Sequence, residues 1–183
     1  MATLKQRMAE IVPAMREDIR SFLKQYGDKV VSEVTLAQAY GGMRGVKALV
    51  CDTSEVPPEK GLLIRDIPIG ELTDRLPEEI FYLLCVGKLP PAEDLEDLKA
   101  DFRKRAEVPQ YVWDVLEAMP KDSHPMCMFN TGILVMERES EFRKAYDAGI
   151  KKTEYWEPTL EDSLNLLAKL PALGAGVYRL RFN

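Results

Sequence analysis

The spacing of apolar residues after Glu71 constrains the fold more than any other feature, because they recur every three or four positions. That period places them on one face of an α-helix, and prolines and glycines separate the successive stretches. The two longest patterned stretches are residues 123–139 and 159–181. Their apolar stripes are Met126, Phe129, Ile133 and Met136, then Leu160, Leu164, Leu167 and Leu170. We therefore predict an all-α, multi-helical fold for most of the chain.

Strand signals are short and confined to the N-terminal part of the chain. Residues 30–34, 49–52 and 62–67 are apolar or β-branched, and the intervening segment 56–61 has the Pro-Pro and Gly content of a turn. Three such stretches are too short to cover a domain of this size. The sequence therefore predicts a small N-terminal β-hairpin beside the helices.

Local signals predict where several helices begin, bend and end. Residues 4–26 have the pattern of one amphipathic helix, which Pro13 should kink or split. Thr159, with an aspartate three residues later, has the pattern of a capping box and predicts a helix start, with a kink at Pro171. The helical pattern continues to Asn183 without a glycine stop, so we expect this last helix to be cut short.

The length of 183 residues suits one domain or one large piece of a bigger one. We divide the chain into an N-terminal helix and arm (residues 1–40), a glycine-rich loop with the hairpin (41–70) and a helical region (71–183).

The charge balance argues against a general nucleic-acid-binding protein. The chain has 25 Lys and Arg against 30 Asp and Glu, a net charge of −5, whereas such proteins present a basic face. The longest apolar runs, such as residues 80–86, are far too short to span a membrane. Glu10, Glu17 and Asp18 do not suit a transit peptide. We predict a cytoplasmic protein with neither nucleic-acid nor membrane partners.

The cysteines and the single histidine provide no catalytic or metal site. Cys51, Cys85 and Cys127 are widely spaced among apolar neighbours, which predicts buried structural thiols in a reducing compartment. His124 lies at a helix start, where we expect it to cap the helix or pack. One histidine excludes a two-histidine mechanism within this chain, and from the residues alone we assign no catalytic residue, metal ligand or cofactor.

Two loops contain cations that could hold a phosphate group. Arg44 lies within residues 41–45 (GGMRG), where three glycines let the backbone approach a ligand closely. The alternative is a tight connector with a solvated arginine. Lys152 belongs to a basic pair before Tyr155 and Trp156, and the alternative there is a surface loop whose aromatic rings pack inward.

Four segments, in this order, resemble the citrate synthase family, in particular its eukaryotic-type branch. They are residues 40–47 (YGGMRGVK), 123–126 (SHPM), 149–157 (GIKKTEYWE) and 161–171 (EDSLNLLAKLP). Their order and spacing extend the resemblance through essentially all 183 residues, which look like an N-terminal portion of the enzyme.

The resemblance implies a mostly α-helical homodimer that joins acetyl-CoA to oxaloacetate and hydrolyses citryl-CoA to citrate and CoA. In the family this chemistry uses two histidines and an aspartate, and none of them matches a position here. The chain would then have no catalytic residues and be inactive alone. Acetyl-CoA and CoA would be substrate and product, and no separate cofactor is implied.

The resemblance also implies two ligand contacts and a subunit interface. Arg44 matches the arginine of the GGMRG loop, which contacts CoA phosphates in the family. Lys152 matches a position, typically arginine, that reaches a CoA phosphate from the other subunit. Residues 123–139 and 159–181 match the dimer-interface helices. Three glycines in these helices would then allow close approach across the subunit boundary: Gly132, Gly174 and Gly176.

Two alternatives stay open. The same fold acting on propionyl-CoA would be a 2-methylcitrate synthase, and no residue of this chain separates the two thioesters. The chain could instead be a non-catalytic helical dimerisation module that pairs with another subunit. The single histidine favours that module, whereas the unfinished helical pattern at the end of the sequence disfavours it.

Overall fold

The computed structural model describes residues 3–182. The chain divides into two compact units, Met1–Ala92 and Glu93–Asn183. The helices are α1 (Leu4–Tyr26), α2 (Leu36–Tyr40), α3 (Pro77–Val86), α4 (Ala92–Arg105), α5 (Gln110–Ala118), α6 (Pro125–Val135), α7 (Glu141–Asp147) and α8 (Trp156–Phe182). The strands are β1 (Ser54–Glu55), β2 (Leu63–Ile64) and β3 (Ile67–Pro68). The predicted all-α class with a small sheet is confirmed. The prediction that the last helix is cut short at Asn183 concerns a residue outside the range 3–182 that the structure describes.

In the first unit, α1 packs against α3. A capping box begins α1: Thr3 Oγ1 accepts a hydrogen bond from Gln6 N at 3.3 Å, and Gln6 Oε1 accepts one from Thr3 N at 2.8 Å. Pro13 does not split the helix, because a proline removes one hydrogen bond from a helix of 23 residues.

The sheet of the first unit is antiparallel, in the order β1-β2-β3. A two-residue turn joins β2 to β3, and its residues Arg65 and Asp66 have positive φ values of 48° and 65°. The predicted hairpin is thus part of a three-stranded sheet. Residues 30–34 and 49–52 are not strands, contrary to expectation. Their β-branched residues favour extended backbone, but a strand also needs a hydrogen-bonded neighbour.

The Arg65 side chain ties this sheet to the end of α3. Its guanidinium donates from Nη2 to Leu84 O at 2.6 Å, and from Nη1 to Asp52 Oδ2 at 3.0 Å. The side chain is only 15% exposed. Because the last carbonyls of a helix have no partner within it, a cation placed there is favourable.

In the second unit, α5, α6 and α8 pack around one apolar core. Its buried residues include Val112, Leu116, Met128, Leu173 and Val177. The predicted stripe of α8 is partly confirmed, since Leu160 and Leu164 are buried while Leu167 is 38% exposed. In α6, Met128 is buried and Met126 is exposed, and Met136 is buried in the 3₁₀ turn that follows. Apolar residues lie on most faces of α6, so their spacing alone did not identify the buried face.

The predicted start of the last helix is corrected. α8 begins at Trp156, and the Thr159 hydroxyl donates to Tyr155 O at 2.7 Å within the helix instead of capping it. Asp162 caps α7, not α8, accepting hydrogen bonds from Ser140 Oγ at 2.6 Å and Glu141 N at 2.7 Å. α8 continues through Pro171 as a single helix, and the kink expected there stays a prediction.

The prediction of buried thiols is wrong for Cys51 and Cys127, which are exposed, while Cys85 is half-buried. The apolar residues before Cys51, Leu49 and Val50, are themselves exposed, so an apolar local sequence did not imply burial. The predicted capping role of His124 is confirmed, because its Nδ1 accepts a hydrogen bond from Met126 N at 3.2 Å.

Over residues 3–182, no helix combines the length and the apolar character needed to cross a membrane. In the same range, no three His, Cys, Asp or Glu side chains come together as metal ligands would.

Candidate functional site

The GGMRG loop, residues 41–45, follows α2 and turns back on it. Met43 N donates to Gln38 O at 2.8 Å, and Gly42, Met43 and Gly45 have φ values of 77°, 61° and 76°. Residues with a side chain rarely adopt this left-handed region, which explains the glycines. A Cβ at Gly42 or Gly45 would meet no atom within 4 Å. The requirement for glycine is therefore one of backbone conformation and not of space.

Arg44 is exposed in the middle of this loop. Within residues 3–182 its guanidinium makes no ion pair or hydrogen bond, and only its backbone carbonyl is engaged, accepting from Gln38 Nε2 at 3.4 Å. A guanidinium with unused donors can receive a phosphate or carboxylate in two parallel hydrogen bonds. The contact of Arg44 with CoA phosphates stays a prediction.

Lys152 belongs to the second unit, whereas Arg44 belongs to the first. It lies in a short 3₁₀ turn, Lys152–Glu154, just before α8. The Tyr155 ring meets the Phe142 ring edge-on, with centroids 5.2 Å apart, and so holds this segment against α7. Tyr155 thus packs inward while Lys152 is exposed. The role of Lys152 at a CoA phosphate also stays a prediction.

Gly132 and Gly176 face partners in the same chain, which corrects the role expected for these two glycines at a subunit boundary. A Cβ on Gly132 would lie 2.8 Å from Leu173 Cδ1, and one on Gly176 would overlap the Trp113 ring. A Cβ on Gly174 would make an ordinary contact with Phe129 Cε2 at 3.8 Å. Gly132 and Gly176 therefore permit close packing of α5, α6 and α8 inside the second unit.

A row of apolar residues on α8 is exposed, and we name it the α8 stripe. It consists of Leu167, Pro171, Ala175, Tyr178 and Phe182. Their spacing of four, four, three and four places them on one face of the helix. On α6, Leu134 is 73% exposed. The two helices predicted at the interface thus present apolar side chains to solvent as well as to the core.

A polar cluster that joins α4 to α8 was not predicted from the sequence. Arg105 Nη1 donates to Glu161 Oε2 at 2.9 Å and to Asn165 Oδ1 at 2.8 Å, and Arg105 Nε donates to Asp101 Oδ1 at 2.8 Å. Desolvation opposes the charge of Arg105, but hydrogen bonds to both carboxylates raise its pKa overall. The partners Glu161 and Asn165 are 56 and 60 positions away, so no local pattern indicates them.

The chain is similar to known proteins over most of its length. The family model "Citrate synthase, C-terminal domain" matches residues 42–183. The mitochondrial citrate synthase of Saccharomyces cerevisiae is 45% identical over 187 residues, which cover 97% of this chain and 39% of that protein. The mitochondrial 2-methylcitrate synthase of Yarrowia lipolytica is 41% identical, covering 98% of this chain and 41% of its own length. The chain therefore spans about two fifths of the length of these relatives.

Solved structures of citrate synthases have the same fold. The enzyme from Pyrobaculum aerophilum superimposes with a TM-score of 0.68 at 23% identity, covering 84% of this chain and 40% of that one. A ternary complex of the Thermoplasma acidophilum enzyme with carboxymethyl coenzyme A and oxaloacetate gives 0.64 at 17% identity, covering 84% and 37%. At these identities the likeness establishes the fold alone.

The relatives overturn the predicted cytoplasmic location. Matched citrate synthases of S. cerevisiae, Daucus carota and Aspergillus niger are named mitochondrial, and a second S. cerevisiae relative, 42% identical, is named peroxisomal. The prediction failed because Glu10, Glu17 and Asp18 lie in α1, a folded helix whose composition gives no information on targeting. The family model matches more than half of the sequence, and this chain therefore belongs to the citrate synthase family.

Proposed function

We propose that this chain is part of an enzyme that condenses acetyl-CoA with oxaloacetate and water to give citrate and CoA. The family-model match over residues 42–183 carries this proposal. The single histidine, His124, is engaged as a helix cap. The two-histidine chemistry that the resemblance implies must then come from residues other than these, and we expect the isolated chain to be inactive.

Within such an enzyme we assign Arg44 to the phosphates of the acyl-CoA. This assignment is supported by the exposed guanidinium of Arg44 and by the conformation of its loop, in which Gly42, Met43 and Gly45 have left-handed backbone angles. A loop ordered before binding loses little conformational entropy when the ligand arrives. We assign Lys152, acting from the other subunit, a weaker contact with a CoA phosphate, since an ammonium is a point charge without the planar fork of arginine.

We also propose that α6 and α8 form the contact of a homodimer. The support is the α8 stripe, where Tyr178 is 63% and Phe182 55% exposed although both are aromatic. Aromatic residues are enriched in the buried centre of protein interfaces. Sedimentation of the chain should show a dimer that Tyr178→Glu weakens. Val115→Glu, at an exposed position of α5, is the matched control and should leave the dimer unchanged. Equal effects of the two would contradict this interface.

A chimera tests the proposed reaction directly. Residues 1–183 replace the matched residues of the S. cerevisiae mitochondrial enzyme, and citrate formation is measured. We expect an active chimera in which Arg44→Gln raises the KM for acetyl-CoA at least about tenfold, as expected for loss of a charged hydrogen bond, while kcat changes little. Lys152→Gln should have a smaller effect on the same constant.

Two neighbouring cations provide controls for charge alone. Lys47→Gln in the glycine-loop segment and Lys151→Gln beside Lys152 remove the same charge from exposed positions. Their KM values for acetyl-CoA should stay close to that of the unmodified chimera. A folded but inactive chimera would contradict the proposed reaction, and an Arg44→Gln effect no larger than that of Lys47→Gln would contradict the assignment of Arg44.

A second candidate reaction is the synthesis of 2-methylcitrate from propionyl-CoA. The observation that favours it is the Y. lipolytica relative, which is named for that activity and is nearly as similar as the citrate synthases. Initial rates of the whole native protein with acetyl-CoA and propionyl-CoA distinguish the two. We expect the higher kcat/KM with acetyl-CoA, and a preference for propionyl-CoA would establish the second candidate instead.

A further inference from the structure

A pocket of about 270 Å³ lies in the second unit, where the end of α6 meets α8. Its apolar walls are Ile133 and Leu134 from α6, Met136 from the following 3₁₀ turn and Leu166 from α8. Lys169 on α8 lines the same pocket. Apolar pockets with a few convergent polar groups are the usual form of small-molecule sites. Neither of the proposed CoA contacts lines this pocket.

Three carboxylates border the pocket, and each already accepts a hydrogen bond from another side chain of the unit. The pairs are Glu137 with Arg143 Nη1 at 2.7 Å, Glu139 with Tyr111 Oη at 3.0 Å and Asp162 with Ser140 Oγ at 2.6 Å. Glu137 is thus paired with a cation, whereas Glu139 and Asp162 accept these bonds from neutral hydroxyl groups, which do not neutralise a carboxylate. Their negative charge also opposes the entry of a ligand that carries several negative charges.

Lys169 lacks a counter-ion in the described residues. Its ammonium forms no ion pair there, and its hydrogen bond to Asn165 O, within its own helix, is long at 3.4 Å. Burial and the nearby Arg105 lower the pKa of Lys169, while Glu139 acts in the opposite direction. Arg105 is itself neutralised by Asp101 and Glu161. Lys169 is therefore a half-buried cation without an ion pair at bonding distance, although Glu139 on the pocket border partly offsets its charge.

Asn165 supplies a second donor one helical turn before Lys169. Its Oδ1 accepts from Arg105 Nη1 at 2.8 Å, which fixes the orientation of the amide. Its Nδ2 group then points away from that bond and has no acceptor among the described residues. Residues four apart lie on the same face of a helix, so the amide and the ammonium are neighbours in the pocket wall.

We propose that this pocket binds a small monocarboxylate with an apolar body. The carboxylate lies between Lys169 and Asn165, and the hydrocarbon part contacts Ile133, Met136 and Leu166. One negative charge satisfies Lys169, whereas a dicarboxylate or a phosphorylated ligand meets the three acids at the border. The ligand therefore differs in class from the acyl-CoA and the dicarboxylate of the proposed reaction, and its binding does not depend on that reaction.

Hexanoate is the probe, titrated into the full chain and followed by ¹⁵N-resolved NMR. We expect saturable shifts confined to amides of α6, α8 and the turn between α6 and α7. Hexanamide has the same size without the charge and should bind at least about tenfold more weakly, as loss of a charged hydrogen bond predicts. Succinate should also bind more weakly than hexanoate.

Lys169→Met keeps the length of the side chain and removes its charge, and it should weaken hexanoate binding about tenfold or more. Lys144→Met is the matched control, because Lys144 is exposed, paired with Glu141 at 2.8 Å and outside the pocket lining. Equal binding of hexanoate and hexanamide, or undiminished binding by Lys169→Met, would overturn the proposal. Shifts at the pocket that depend on the concentration of the chain and not on that of hexanoate would show that a second copy of the chain occupies the pocket. That result would also overturn the proposal.

Discussion

The second unit buries a continuous apolar core between its own helices, although the α8 stripe is exposed, whereas the first unit leaves many more of its large apolar side chains in solvent. Buried residues of the second unit include Leu98, Val112, Leu116, Met128, Leu160, Leu164, Leu173 and Val177. Exposed residues of the first include Ile19, Phe22, Leu23, Val30, Val31, Leu36, Tyr40, Leu49 and Val50. Both units are rich in apolar residues, and the difference lies in whether helices of this chain cover them.

The two units are consequently stabilised by different interactions. Contacts among α5, α6 and α8 give the second unit a continuous core. In the first unit, buried contacts centre on α3, where Tyr82 and Leu83 are fully buried, and hydrogen bonds such as those of Arg65 fix the sheet. Stability that is distributed unevenly leads to local opening in the region with fewer buried contacts.

The largest expected effect is that of Gly176→Ala in the second unit. The new methyl group would overlap the Trp113 ring, and overpacking of this kind costs about 1–3 kcal/mol. Gly174→Ala is the matched control, because its methyl group would make an ordinary contact and alanine favours a helix by up to about 1 kcal/mol. Urea unfolding of both variants measures the difference. Equal free energies of unfolding would contradict the close packing of α5 on α8.

An effect of similar size, confined to the first unit, is expected from Arg65→Met. The variant loses the hydrogen bonds to Leu84 O and Asp52, and we expect the first unit to be destabilised by about 2 kcal/mol. Arg75→Met removes a more exposed ion pair with Glu79 and should cost about 0.5 kcal/mol. Amide exchange of α3 and the sheet measures both variants. If Arg65→Met accelerated exchange in α5 and α6 as much as in α3, the two units would not differ as described.

Thiol reactivity gives the smallest and most local test. A hydrogen bond with the Thr53 side chain, aided by the backbone of Ser54, lowers the pKa of Cys51 to about 7, and burial raises the pKa of Cys85 to about 11. The thiolate is the reactive form, so alkylation of Cys51 should increase through pH 7 and be lost below it. Cys85 should react slowly at neutral pH.

Mass spectrometry after brief treatment with iodoacetamide locates the modified thiols. Thr53→Val should move the alkylation of Cys51 to higher pH, whereas Thr73→Val, whose hydroxyl bonds Gly70 O, should not. Equal rates for Cys51 and Cys85 at pH 7 would show that the segment around Cys51 is not exposed as described.

The helices could be predicted from sequence because their signals are local. The spacing of apolar residues after Glu71 indicated the helical region, and the predicted stretches 123–139 and 159–181 lie within four residues of the ends of α6 and α8. Local signals were misleading where the partner is distant. Asp162 has the pattern of a cap for its own helix, yet it caps α7 because Ser140 and Glu141 lie beside it in the fold.

Prediction of the candidate site was less complete. The glycines around Arg44 indicated a loop with unusual backbone angles, and the φ values of Gly42 and Gly45 agree. A link between Arg44 and CoA came only from resemblance to the family. The pocket at Lys169 had no sequence signal, since it depends on the packing of α6 against α8 and on where the neighbouring acids find their partners.

Amide hydrogen exchange of the full chain tests the difference between the units most directly. We predict strong protection in α5, α6 and α8, and exchange at the earliest time points in residues 28–34 and 46–53, which have no regular secondary structure. Protection in residues 28–34 and 46–53 equal to that in α6 and α8 would contradict the account, as would rapid exchange throughout α6 and α8.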